Sequence, residues 1–128
     1  MERATKEALK TVKHLIIPGN QIADEGLEAL AESPYLKNLE LLNANHNEIG
    51  DDGAIAIANS ESLPNLKDLS MFGNVIGDRG AQALADSPQS KKYLKLDLYK
   101  NQYSRIGYKA LTETEHLKNC EELEVYRE

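Results

Sequence analysis

Residues 73–88 read GNVIGDRGAQALADSP, and blurred copies of this stretch recur every 27 residues along the chain. Asparagines stand at 20, 47, 74 and 101, and glycines at 26, 53, 80 and 107. Ile22, Ile49, Ile76 and Tyr103 keep the same interval, as do Leu30, Ile57, Leu84 and Leu111. An apolar triplet precedes each asparagine: Val12, Leu15, Ile17; Leu39, Leu42, Ala44; Leu66, Leu69, Met71; Tyr93, Leu96, Leu98. Cys120, Leu123 and Val125 continue the series. No insertion or deletion breaks the register, so the chain is an array of one structural unit.

The residue types say what that unit does. Alternation around Leu69 and Met71 predicts a short strand with these two pointing inward and Asp68, Ser70 and Phe72 outward. Each strand is expected to pair in parallel with its counterpart 27 residues away. Asn74 marks the turn off the strand, and Asp78 is placed to cap the helix that follows by accepting from its first free amides. Ala81, Leu84 and Ala85 fall on one helical face, with alanines small enough for close approach to the sheet. Pro88 ends the helix, because proline has no amide to donate.

Written out, the unit is LxxLxLxxNxIGDxGAxALAxSPxLKN. This pattern resembles the leucine-rich repeat, and its GAxALA helix is similar to the ribonuclease-inhibitor-like class and to bacterial arrays of IGDEGAxALAxSP repeats. The resemblance implies an α/β solenoid, a horseshoe with parallel strands on the concave face and helices on the convex one. It also implies that the asparagine side chain is buried and bonds loop backbone groups that would otherwise go unpaired.

The expected organisation is a single repeat domain over residues 1–128. Residues 1–11 form an N-terminal capping helix, followed by repeats at 12–38, 39–65, 66–92 and 93–119 and a partial repeat at 120–128. The fourth repeat deviates: Arg105 stands in the aspartate slot and Tyr108 in a small-residue slot. Five of the six tyrosines lie from 93 onward, which fits either a loosening terminal repeat or an aromatic interaction patch. The last strand is expected to leave an open edge, with Leu123 and Val125 half covered and available for self-association.

A solenoid stacks its outward strand positions into columns. One column is His14, Leu41, Asp68, Lys95, Glu122; the next is Ile16, Asn43, Ser70, Asp97, Glu124. A third is Pro18, Asn45, Phe72, Tyr99, Tyr126, with Gly19, His46, Gly73, Lys100 and Arg127 beside it. Phe72, Tyr99 and Tyr126 are expected to form an aromatic ladder about 5 Å from strand to strand. Asp68, Asp97, Glu122 and Glu124 flank it, with Lys95, Lys100 and Arg127 among them. That mixture with Ser70 suits a protein or peptide partner carrying basic groups, although cross-strand aromatic pairs also stabilise sheets in their own right.

Composition narrows the function classes. The net charge is −6, from 21 acids against 15 lysines and arginines, and no basic stripe of the kind that neutralises phosphates stands out. No apolar run reaches the roughly 20 residues of a membrane span. The single cysteine, Cys120, rules out an intrachain disulfide and sits in an inward slot, which points to a cytoplasmic setting, with a secreted effector as the other option. His14, His46 and His116 share no column, no phosphate loop is present, and no nucleophile has a base at working distance. No metal, cofactor or catalytic residue is therefore expected. The leading expectation is a non-enzymatic protein-interaction module. The alternatives are a regulatory or substrate-recognition segment, as in GTPase activators and bacterial ubiquitin ligases that the resemblance brings in, or a structural array with no ligand.

Overall fold

The chain is described from a computed structural model covering residues 7–125. Each repeat contributes one three-residue strand and one helix. The order is β1 (His14–Ile16), α1 (Ala23–Glu32), β2 (Leu41–Asn43), α2 (Asp51–Ala58), β3 (Asp68–Ser70) and α3 (Asp78–Asp86). A 3-10 turn (Pro88–Lys92), β4 (Lys95–Asp97), α4 (Arg105–Glu113), a second 3-10 turn (Glu115–Leu117) and β5 (Glu122–Glu124) complete it. The strands form one parallel sheet in the order β1-β2-β3-β4-β5. His14 pairs with Leu41, Leu41 with Asp68, Asp68 with Lys95 and Lys95 with Glu122, a register of 27 residues at every step.

Parallel strands repeat at about 4.8 Å, whereas helices pack about 8–10 Å apart. A stack that keeps both in register must curve with its strands on the inner side, and this is an α/β leucine-rich-repeat solenoid. Leu42, Leu69 and Leu96 plug the gap behind the sheet, and Ala54, Ala58, Ala81 and Ala85 let the helices come close. Each fully buried leucine contributes roughly 1.5–3 kcal/mol. The end positions are less covered: Val12, Leu15, Cys120 and Leu123 pack against the core but remain half-buried.

Side chains then tie each repeat to the next. The Asn74 amide donates to the carbonyls of Ala44 at 3.1 Å and Met71 at 3.0 Å, while its oxygen accepts from the amides of Asn47 at 2.8 Å and Ile49 at 3.0 Å. Asn47 does the same one repeat earlier, reaching Ile17 at 2.8 Å and accepting from Asn20 at 2.7 Å. Asn20 is exposed, and its amide reaches only Pro18 in its own turn.

The aspartates work in the forward direction, which corrects the expectation for Asp78. Helix α3 is preceded by Gly77 with no side-chain cap, and Asp78 is the first residue of that helix. Its Oδ1 accepts from Ser104 at 2.8 Å and Gly107 at 2.9 Å, so Asp78 caps α4, one repeat on. Asp51 caps α3 through Gly77 and Gly80, and Asp24 caps α2 through Gly50 and Gly53. A carboxylate in the first turn of one helix reaches the free amides of its neighbour because the helices lie side by side. Arg105, in the same slot, has no oxygen to offer.

Helix ends are held in the reverse direction. The Ser60 hydroxyl donates to the Ala31 carbonyl at 2.6 Å, Ser87 to Ala58 at 2.5 Å and Thr114 to Ala85 at 2.5 Å. Asn38 and Asn65 donate to Lys10 and Lys37, each at 2.7 Å. Lys92, in the same slot, uses its ammonium instead and donates to the Leu63 carbonyl at 2.8 Å. Burial pulls the Lys92 pKa below its ordinary value.

The expected capping helix over 1–11 falls largely on residues outside the described range; 7–9 are helical. At the other end Val125 is buried, not half covered, since the Tyr103 hydroxyl donates to its carbonyl at 2.7 Å and draws it into the core. Tyr93 fills an inward leucine slot with its hydroxyl buried and unpartnered, and burial pushes that phenol well above its ordinary pKa. Tyr93→Phe is therefore expected to be neutral or stabilising by up to about 1 kcal/mol, read as a urea midpoint. A clear loss of stability would show that the hydroxyl has a partner, such as a buried water.

Candidate functional site

The inner face is built from the outward positions of five strands, which alternation places there, and from the turn residues that follow. Its first half is partly apolar: Ile16 is 62% exposed and Leu41 is half-buried. Its second half is polar and charged, with Asp68, Ser70 and Asp97 half-buried and Lys95, Glu122 and Glu124 exposed. Lys95 and Glu122 are opposite one another and form an exposed ion pair at 3.7 Å, of the kind that contributes little to stability.

An aromatic row crosses the middle of this face. Phe72 and Tyr99 lie with ring centroids 5.8 Å apart and planes tilted by 38°. The His46 ring continues the row, meeting Phe72 edge-on at 5.2 Å and 83°. The Lys100 ammonium stands 5.8 Å from the centre of the Tyr99 ring. Tyr126 and Arg127 lie outside the described residues.

Two residues that sequence reasoning left out of the site organise it. Asn45 accepts from the Ser70 hydroxyl at 2.6 Å and from the Phe72 amide at 2.8 Å, which fixes the backbone under the row. His46 can lean over its neighbour because the next residue in its column is Gly73. A side chain on Gly73 would collide with the His46 ring, and Gly73 has a φ of +72° that favours glycine in any case. The signal was present in the sequence as a glycine 27 residues after a histidine.

Two of the acids on this face lack a paired cation among the described residues. Neither Asp68 nor Asp97 forms an ion pair with another described residue. The Asp97 Oδ1 accepts from the Tyr99 backbone amide at 2.9 Å, which holds the carboxylate against the turn that follows β4. Burial pushes the Asp97 carboxyl above its ordinary value; the Tyr99 amide works against this and the nearby Asp68 charge adds to it.

Among the described residues the late tyrosines do not share one surface. Tyr93 and Tyr103 are buried, Tyr99 is on the inner face, and Tyr108 is exposed on α4. Cys120 is half-buried, and burial raises its thiol pKa, the opposite of an activated nucleophile. Among the described residues no group of three His, Cys, Asp or Glu side chains stands together as a metal site. None of their helices is long and apolar enough to cross a membrane. Lys37, Lys91 and Lys118 share a register along one rim, but Glu40, Glu61, Glu115 and Glu121 stand in the adjoining positions.

The family model described as Leucine Rich repeat matches residues 8–31, 35–58 and 62–85, more than half of the chain. The chain belongs to the leucine-rich repeat family. Among solved structures it is similar to the C-terminal domain of tropomodulin from Caenorhabditis elegans, with a TM-score of 0.72. The match covers 97% of this chain and 81% of that one at 15% identity, a likeness of fold. No curated protein sequence matches.

Proposed function

We propose that this repeat array is a non-enzymatic protein-interaction module of ribonuclease-inhibitor-like type, receiving a protein or peptide on its inner face. The observation that carries this reading is the row His46–Phe72–Tyr99, partly open to solvent on a sheet whose other side already holds the core. Rigid aromatics offer contact area at small entropic cost, and solenoids use their inner faces as extended binding surfaces. Asp68, Ser70, Lys95, Asp97, Lys100, Glu122 and Glu124 surround the row and would set specificity, while Tyr126 and Arg127 are candidates by register alone.

The test is a triple variant, Asp97→Lys, Glu124→Lys and Tyr99→Ala, checked for unchanged folding by circular dichroism. Partner capture is expected to fall at least tenfold, since losing an aromatic anchor alone is worth about 1–2 kcal/mol or more. Undiminished capture would sink the inner-face assignment. The regulatory-segment and ligand-free array readings have no supporting observation of their own among the described residues.

A further inference from the structure

The chemistry around the aromatic row narrows the partner, on the premise that the inner face is the binding surface. Asp68 and Asp97 sit diagonally across β3 and β4, like charges on neighbouring strands with no described cation paired to either. Lys95, opposite Asp68, is paired with Glu122. Asp97 is held half-buried against the Tyr99 backbone, so its charge is fixed in place and partly stripped of water. The paired rings of Phe72 and Tyr99 lie further along the same two strands, Tyr99 two residues after Asp97 and Phe72 two residues after Ser70, which is opposite Asp97. Fixed anions next to exposed ring surface favour one kind of ligand group above others, a planar cation with an apolar stem.

We infer that the inner face between β3 and β5 docks an extended peptide carrying an arginine. The guanidinium bridges the carboxylates of Asp68 and Asp97, and its methylene stem lies along Phe72 and Tyr99. Arginine fits better than lysine because its planar fork donates to two carboxylates at once and stacks on rings, whereas an ammonium is a strongly hydrated point charge. An extended peptide lying across the strands passes a repeat about every 4.8 Å while rising about 3.3–3.6 Å per residue, roughly three residues for every two strands.

A random decapeptide library displayed on phage and selected on the intact chain tests this. The expected result is enrichment of arginine over lysine at one position. Selected peptides should lose affinity roughly tenfold or more with Asp97→Asn, and similarly with Asp68→Asn, as expected for removing one charged partner. Asn at 97 keeps an oxygen for the Tyr99 amide, and unchanged melting temperatures would separate binding from folding. Selected peptides that lack arginine, yet are lost with Tyr99→Ala, would overturn the arginine assignment and leave the inner-face reading standing. Binders indifferent to all three substitutions, or no binders at all, would overturn both.

Discussion

Asn74→Ala is expected to destabilise the chain by about 3–5 kcal/mol, lowering the melting temperature by roughly 10–20 °C. The cost comes from what is left behind. Without the carboxamide, the buried amides of Asn47 and Ile49 and the carbonyl of Ala44 lose their partner together, while the Met71 carbonyl keeps the Asn101 amide at 2.9 Å. Each orphaned group costs on the order of 1–3 kcal/mol, less whatever entering water recovers. Asn20→Ala is the internal control. Asn20 is exposed and its amide reaches only the Pro18 carbonyl, so its loss is expected to cost at most about 0.5 kcal/mol. Thermal melts of the two variants side by side decide the matter, and equal melting temperatures would refute the assignment of Asn74 as an inter-repeat clamp.

Gly80→Ala is the second large effect, and its sign runs against helix propensity. Alanine is a better helix former than glycine by about 1 kcal/mol, so an exposed site would be stabilised. At Gly80 an added methyl would stand 2.7 Å from Ile76 Cγ2, 2.9 Å from Ala54 Cβ and 2.9 Å from Asp51 Oδ1. Something must move, and the carboxylate that caps α3 through this residue's own amide is in the way. Overpacking and a weakened cap together predict a net loss of about 2–4 kcal/mol in urea unfolding. Gly19 has nothing within 4 Å, but its φ is +67°, so Gly19→Ala is expected to cost only about 1 kcal/mol of backbone strain. A Gly80→Ala variant more stable than the parent would mean that α2 and α3 are not packed this closely.

The glycine column also shows where reading the sequence stopped short. A strict 27-residue period makes strands, turns and outward columns legible, because parallel pairing in constant register carries each position onto its counterpart. The same period hides direction. Asp78 and its own helix are adjacent in sequence, which suggested a local cap, but a carboxylate on the first helical residue faces sideways toward α4. Nothing in one repeat read alone distinguishes these. His46 was missed for a related reason: its lean over Gly73 depends on a residue that is absent, and an empty place is hard to read in a string. For the tyrosines the period was the better guide than residue type: Tyr93 and Tyr103 stand in columns that leucine and isoleucine fill elsewhere, and both are buried.

The bonds by which the asparagines, aspartates and helix-end hydroxyls reach the adjoining repeat join residues 25 to 30 apart, and so they connect only nearest neighbours. A mechanical influence entering at Tyr99 therefore has no shortcut across the stack. Rigidity gained by the third and fourth repeats on gripping a ligand must be handed to the second before the first can feel it, and will fade with each transfer. The array behaves as a short row of coupled springs, in which distance is counted in repeats crossed and not in ångströms.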